Sequence, residues 1–171
     1  MNQLVLSKRA KVLSDTIIAI SEIYHSDILD EGQKGMLETL IGAGIWYLPS
    51  SKKLFSGLIS NEALNRFRLD SSVKLVEEHG FPRKVAGKKL LSEHLEELKI
   101  DDRKLEELYT SKMGKFNLVL KEENNKLKKF QKTSVFQDEL SAYQSAGIKL
   151  IQVQDSDFEL PQLKKYKYET A

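Results

Sequence analysis

Glu77, Glu78 and His79 are consecutive residues whose side chains can together handle a proton and bind a cation. They end a strand-like run over residues 72–79, and a turn of sequence GFPR, residues 80–83, follows at once. A neutral imidazole accepts a proton from water near neutral pH, and carboxylate oxygens are the ligands that Mg²⁺ prefers. The pattern therefore has two interpretations, a hydrolytic site at the end of a strand or an ordinary surface strand end.

A second polar stretch begins about forty residues later in the chain. Asn117 lies at the start of a predicted strand, KFNLVL, and Asn124 and Asn125 lie in the first turn of a predicted helix, KEENNKLKKFQK. Asparagine is common in turns, so Asn117 can simply close the loop after Gly114. Two consecutive asparagines are poor helix formers, so their position in a strong helical sequence favours a compensating role. The other two histidines, His25 and His94, lie in helical patterns and are expected at surface or capping positions.

Composition sets limits on the class of protein. The 171 residues are 40% hydrophobic and 30% charged, which is typical of a globular chain with one sizeable core. The absence of cysteine excludes disulfides, thiol catalysis and cysteine-bound zinc. No apolar run approaches the roughly 18 residues of a membrane span, and the first thirty residues do not resemble a signal peptide. We therefore expect a cytoplasmic protein that does not enter a membrane.

The net charge of +2 is almost neutral, but the charges are segregated along the chain. Segregated charge can create a local positive surface on a nearly neutral protein. Solvated helix faces explain most clusters of this kind equally well. The cationic clusters lie at 52–53, 66–68, 83–89, 126–132 and 164–167, and the acidic ones at 93–107 and 155–159.

Hydrophobic periodicity predicts a mostly α-helical α+β fold. Two amphipathic helices come first, and Gly42 and Gly44 in the second indicate close packing against a neighbour. Residues 50–53 are expected to form a basic connector, and Ser60 to cap a third helix. Residues after about 156 are polar and are expected to be loosely held. The predicted regions are 1–70 (N-terminal helices), 71–132 (two short strands and a helix, with a helical insertion at about 85–113) and 133–171 (a helix-strand extension).

The order of these motifs resembles the HNH, or ββα-metal, nuclease superfamily. The matching pieces are EHGFPRK from Glu78 to Lys84, FNLVL around Asn117, and KEENNKL from Lys121 to Leu127. The resemblance covers roughly residues 72–131 and lies mainly in the order and spacing of short motifs. It implies a ββα-metal core in which the insertion at 85–113 replaces the short loop of compact members.

The resemblance also implies a role for each matching residue. Glu78 and Asn124 would bind Mg²⁺ or Mn²⁺, with Glu77 or Asn125 as alternatives to their neighbours. His79 would be the general base that activates water, and Asn117 would brace the loop that carries the histidine. Cations on either side would grip the phosphodiester backbone; these are Arg83, Lys84, Lys126, Lys128 and Lys129.

The resulting expectation is a metal-dependent endonuclease that acts on double-stranded DNA, of the restriction or phage-defence type, with a homodimer plausible. Three alternatives remain open. One is a helical nucleic-acid-binding or regulatory protein without catalysis, and another is an RNA-cleaving toxin. The third is a protein-interaction module that docks a partner through the charged helix at 93–108.

Overall fold

The computed structural model describes residues 2–167, which form a mostly helical α+β fold with a small mixed sheet. Its helices are α1 (Gln3–His25), α2 (Glu31–Ile45), α3 (Asn61–Leu69), α4 (Arg83–Ser92), α5 (Leu95–Ile100), α6 (Lys104–Leu108), α7 (Lys121–Leu127) and α8 (Glu139–Ser145). Its strands are β1 (Phe55–Ser60), β2 (Val76–Glu78), β3 (Phe116–Val119) and β4 (Leu150–Gln152). Short 3₁₀ segments lie at Lys52–Leu54, Asp155–Glu159 and Lys164–Tyr166, and a π-helical turn lies at Tyr109–Met113.

The chain divides into two compact units that are each built from two separate stretches of sequence. The first unit comprises residues 2–50 and 81–114, and the second comprises 51–80 and 115–167. The predicted insertion at 85–113 therefore belongs to the same unit as the two N-terminal helices.

The first unit is a helical assembly in which α2 packs along α4. Gly42 permits this contact, because a Cβ there would collide with the backbone of Arg83. Gly87 on α4 also permits the contact, because a Cβ there would collide with the backbone of Glu38 on α2. Gly44 lies against the side chain of Leu13 on α1. The close packing predicted for the two glycines of α2 is thus confirmed.

The longest helix, α1, has 23 residues, and serines interrupt its buried stripe at Ser14 and Ser21. Within residues 2–167, no helix is both long enough and apolar enough to cross a membrane.

The second unit is built on a four-stranded sheet with the order β2-β3-β1-β4. The two central strands, β1 and β3, are parallel, whereas β2 and β4 pair antiparallel to their neighbours. An apolar cluster of Val119, Leu127, Tyr143 and Ile148 joins β3 to α7 and α8. Ser60 ends β1 and caps α3, as expected, since its hydroxyl oxygen accepts the Ala63 N–H at 3.0 Å.

The central strand β1 was not expected from the sequence. Ser56, Gly57 and Ser60 interrupt its apolar residues, so it lacks the alternation that signals a half-buried strand. Gly57 adopts φ 86°, and the β1–β3 register shifts between Phe55 and Ile59. This irregularity is typical of a bulge, which tertiary pairing stabilises and which sequence periodicity does not reveal.

The insertion predicted at about 85–113 is helical and contains α4, α5 and α6. Two other expectations need correction. The strand predicted over 72–79 is limited to Val76–Glu78. The tail after residue 156 is not loosely held, because Asp157, Leu163 and Tyr166 are buried. Residues 168–171 lie outside the described range.

Candidate functional site

His79 directly follows β2 and is held by the chain that enters β3. Its Nδ1 lies 3.2 Å from the carbonyl oxygen of Lys115, and its ring meets the Phe116 ring edge-on with 5.9 Å between centroids. A carbonyl only accepts hydrogen bonds, so Nδ1 must be the donor. In the neutral ring, Nε2 is then the basic nitrogen. The half-buried imidazole therefore has the tautomer of a potential general base.

Glu77 lies two residues before His79, a spacing that places both side chains on one face of an extended chain. Its Oε1 accepts hydrogen bonds from Lys52 Nζ and from the Tyr166 hydroxyl, the latter at 2.8 Å. Burial disfavours the charged form, but these donated hydrogen bonds outweigh it and lower the pKa of Glu77. Because the Tyr166 ring also contacts Phe116, at 5.9 Å between centroids, Glu77 and His79 flank one aromatic cluster.

Two cations, Lys52 and Lys165, lie at this aromatic cluster. Lys52 and Lys165 place their ammonium groups 5.2 and 4.9 Å from the centroid of the Tyr166 ring. We call Lys52, Glu77, His79, Lys165 and Tyr166 the His79 face. It combines an imidazole, an ionised carboxylate and two ammonium groups, which suits the binding and hydrolysis of an anionic ester.

Glu78 contacts a different set of residues, as expected for the intervening residue of a strand. It is buried, with Oε1 accepting the Gln131 side-chain amide at 2.5 Å and Oε2 accepting the Tyr143 hydroxyl. Burial raises the pKa of Glu78 and outweighs the opposing effect of these two hydrogen bonds. The two glutamates that are adjacent in sequence are therefore in opposite electrostatic situations.

Asn117 is paired with Glu78 across β2 and β3 and is also buried. Its amide Nδ2 donates to the Tyr143 hydroxyl at 2.9 Å, and its Oδ1 accepts from the Ser56 hydroxyl. We call Ser56, Glu78, Asn117, Gln131 and Tyr143 the Tyr143 cluster. In the structure, the backbone carbonyl of Lys115 holds the ring of His79, whereas the Asn117 side chain bonds within the Tyr143 cluster.

The Tyr143 cluster is a directed chain of hydrogen bonds. The Tyr143 hydroxyl accepts from Asn117 and donates to Glu78, so both of its capacities are used. Burial, reinforced by the neighbouring Glu78 carboxylate, raises the pKa of Tyr143 above its usual range. This fully bonded arrangement fixes α8 against the β2–β3 pair.

Asn124 and Asn125, the asparagines of the predicted helix, lie in the middle of α7. Asn124 is half-buried and Asn125 is exposed, with its Oδ1 accepting the Lys128 ammonium at 2.8 Å. The inward-facing residue of this turn is Glu123, which accepts the Ser60 hydroxyl at 2.6 Å and the Leu120 N–H at 2.9 Å. Three predicted nucleic-acid-binding cations of this stretch are exposed: Lys126 on α7, and Lys128 and Lys129 just after it.

Arg83 and Lys84 belong to the first unit, whereas His79 belongs to the second. Arg83 stacks on the Trp46 ring, with its guanidinium carbon 3.0 Å from the ring centroid. The Lys84 ammonium lies 3.8 Å from a carboxylate oxygen of Glu38. Proximity in the sequence EHGFPRK therefore does not place these cations in the same unit as the histidine.

Two of the residues proposed to bind Mg²⁺ or Mn²⁺, Glu78 and Asn125, use their side-chain oxygens in hydrogen bonds within the protein. Both oxygens of Glu78 accept hydrogen bonds from protein donors, and Asn125 Oδ1 is bonded to a lysine. The residues 2–167 contain no group of three or more His, Asp or Glu side chains placed to hold a metal ion. A cation at Glu78 would have to reach a buried carboxylate that already accepts hydrogen bonds from Gln131 and Tyr143.

Several residues of the His79 face and of the Tyr143 cluster were not predicted from the sequence. Lys52 and Tyr166 are far in sequence from Glu77, and Tyr143 and Gln131 are equally remote from Glu78. The local signal for Tyr143 is its place on the apolar face of a predicted helix, since a buried tyrosine requires a hydrogen-bond partner. No local pattern indicates which partner it takes.

Comparison with known proteins adds no relative: no family model, curated protein or solved structure matches this chain.

Proposed function

We propose that this chain is an endonuclease that hydrolyses phosphodiester bonds in DNA, with His79 as its general base. The observation that carries the proposal is the hydrogen bond from His79 Nδ1 to the Lys115 carbonyl oxygen, because it makes Nε2 the basic nitrogen. The resemblance of EHGFPRK, FNLVL and KEENNKL to HNH nucleases supports the same reaction, and restriction or phage defence as its setting.

The order of elements in the second unit also supports this proposal. Strands β2 and β3 pair antiparallel from Val76–Val119 to Glu78–Asn117, and α7 begins two residues after β3 ends. A ββα core would have the same succession of strand, strand and helix. The histidine follows the first strand and the asparagine lies in the second, as in the family pattern.

The His79 face suits the steps of hydrolysis. His79 Nε2 would take a proton from a water molecule, and the resulting hydroxide would attack phosphorus while the bond to the leaving oxygen breaks. Ammonium groups of Lys52 and Lys165 would attract the phosphate and offset its growing negative charge. Glu77, which is ionised and on the same face, would stabilise the imidazolium that forms. Glu78 takes no part in these steps, because its carboxylate accepts hydrogen bonds from Gln131 and Tyr143.

The proposal is tested by incubating plasmid and phage DNA with the wild type and with His79→Ala. We expect the variant to lose at least a hundredfold in cleavage rate, the typical minimum for removing a general base. His94→Ala is the matched control, because that imidazole pairs with Glu97 on an exposed helix in the first unit. Cleavage by His79→Ala at the wild-type rate would refute the role of the histidine.

The same assay includes Mg²⁺, Mn²⁺ and EDTA, each with wild type and Glu78→Gln. A metal requirement that persists unchanged in Glu78→Gln would place the cation away from Glu78. A requirement that disappears or weakens in that variant would assign Glu78 as a ligand after rearrangement. Discrete fragments would mark the enzyme as sequence-specific.

A second candidate is a nucleic-acid-binding protein without catalysis. It is favoured by the commitment of Glu78 and Asn117 to internal hydrogen bonds, since these two residues were expected to serve the reaction. It predicts salt-dependent binding of nucleic acid and no cleavage of DNA or RNA under any metal condition. An RNA substrate in the same assay tests the RNA-cleaving alternative.

A further inference from the structure

We propose that the first unit carries a platform for unpaired nucleotides, formed by Arg9, Trp46, Tyr47 and Arg83. The inference takes its class of ligand from the proposed function, but its test measures binding and does not require cleavage. Of these four residues, the sequence analysis indicated only Arg83 as a nucleic-acid contact. The structure adds Arg9, Trp46 and Tyr47.

The first argument is the exposure of the two aromatic side chains. Trp46 is 50% exposed and Tyr47 is 76% exposed. Both follow directly on α2, and the last residue of that helix, Ile45, is buried. Large aromatic side chains that remain exposed to water are typical of binding surfaces.

The second argument is the way the arginines are fixed beside these rings. The Arg83 guanidinium stacks on Trp46, with 3.0 Å between its central carbon and the ring centroid. Arg9 Nη1 donates to the backbone carbonyl oxygen of Tyr47 at 2.6 Å. Three helices thus contribute to one surface, because Arg9 lies on α1, the aromatic pair follows α2 and Arg83 begins α4.

The third argument is charge. Within residues 2–167, no carboxylate lies within ion-pair distance of Arg9 or Arg83, whereas Arg66 and Arg68 are both paired with acids. The first turn of α4 contains no acidic residue, so its positive end adds to the charge of Arg83, whereas Lys84 lies 3.8 Å from a carboxylate oxygen of Glu38. The occupant should therefore be anionic.

Single-stranded nucleic acid matches both properties of this surface. Unpaired bases stack on aromatic rings and on the planes of arginine guanidinium groups, while the phosphates bind the cations. In a continuous duplex the base faces are stacked on one another, so only the phosphates can bind this surface, through its cations. Single-stranded DNA and RNA share the required chemistry, so both are used as probes.

The chain has one tryptophan, and it is Trp46, so tryptophan fluorescence reports on this surface directly. The full-length protein is titrated with unlabelled dT and U 20-mers, and with a duplex of the same length. We expect quenching by the single strands and at least tenfold weaker binding of the duplex. Equal affinity for duplex, or no quenching by either single strand, would overturn the platform. Binding to anionic lipid vesicles without binding to the oligonucleotides would also overturn it.

Variants are measured by fluorescence anisotropy of labelled oligonucleotides. We expect Tyr47→Ser and Trp46→Ala each to weaken single-strand binding by about tenfold to a hundredfold. We expect the double variant Arg9→Ala with Arg83→Ala to reduce the slope of log affinity against log salt by about 1.4. Ile100→Ala, which changes an 87% exposed residue on another helix of the same unit, is the control and should bind normally.

Measuring binding and cleavage by the wild type and by Tyr47→Ser separates this inference from the proposed function. If the wild type does not cleave but single strands quench Trp46, the platform stands and the endonuclease proposal fails. If the wild type cleaves DNA and Tyr47→Ser binds and cleaves like the wild type, the endonuclease proposal stands and the platform fails.

Discussion

Glu78 and Asn117 lie opposite each other in the β2–β3 pair, and the Tyr143 hydroxyl bonds to both. The hydroxyl accepts from the amide and donates to the carboxylate, so one atom of α8 connects two strands. Glu78 and Asn117, which the sequence suggested as site residues, therefore stabilise the packing of the second unit through these hydrogen bonds. The consequences of this arrangement are measurable.

Tyr143→Phe should destabilise the protein by about 2–3 kcal/mol, because it leaves buried groups on Glu78 and Asn117 with one partner fewer. Urea unfolding measures the change in the free energy of unfolding. Tyr47→Phe removes the same atom from an exposed side chain and should change it by less than about 0.5 kcal/mol. Equal effects of the two variants would contradict a structural role for the Tyr143 hydroxyl.

Stability should depend on pH through Glu78, whose pKa is raised in the folded state because the side chain is buried. The folded protein then binds more protons than the unfolded chain between the unfolded pKa and the raised one. The contribution is fully present below the unfolded pKa and is lost as pH rises through the folded pKa. As pH rises through this window, the free energy of unfolding of the wild type should therefore fall relative to that of Glu78→Gln. A constant difference between the two proteins across the window would show that the pKa of Glu78 is not raised.

The negative charge of Glu77 should contribute to the rate of DNA cleavage. Glu77→Gln should lower DNA cleavage by about tenfold or more, because the carboxylate that would stabilise protonated His79 becomes neutral. Glu159→Gln changes an exposed glutamate of the same unit that pairs with Lys167, and should cleave normally. Cleavage rates are compared at saturating DNA. A wild-type rate in Glu77→Gln would remove this glutamate from the mechanism.

Two glycines of α2 provide a matched test of the packing in the first unit. Gly42→Ala should destabilise the protein by about 1–3 kcal/mol or more, because the new Cβ collides with the backbone of Arg83. Gly35→Ala meets only the end of the flexible Lys84 side chain, so its better helix propensity should leave stability unchanged or higher by up to about 1 kcal/mol. Thermal unfolding of both variants measures the contrast. Similar melting temperatures would mean that α2 and α4 are less closely packed than described.

Local sequence was sufficient for many elements of the fold. The helical class, the cap at Ser60 and the close approach at Gly42 and Gly44 follow from spacing and residue type, which act over a few residues. The strand β1 was missed because serines and a glycine at positive φ break its pattern, and its stability comes from pairing with β3 and β4. The buried tail was missed for a similar reason, since Leu163 and Tyr166 become core residues only through partners far along the chain.

The sequence by itself determined that Glu77 and Glu78 must diverge, because neighbouring residues of a strand point to opposite faces. It could not determine which face is which. That choice depends on Tyr166, 89 residues from Glu77, and on Tyr143, 65 residues from Glu78. A hydroxyl and an ammonium group keep Glu77 ionised, whereas burial raises the pKa of Glu78. Two chemically identical side chains thus acquire opposite properties from contacts that only the tertiary structure brings together.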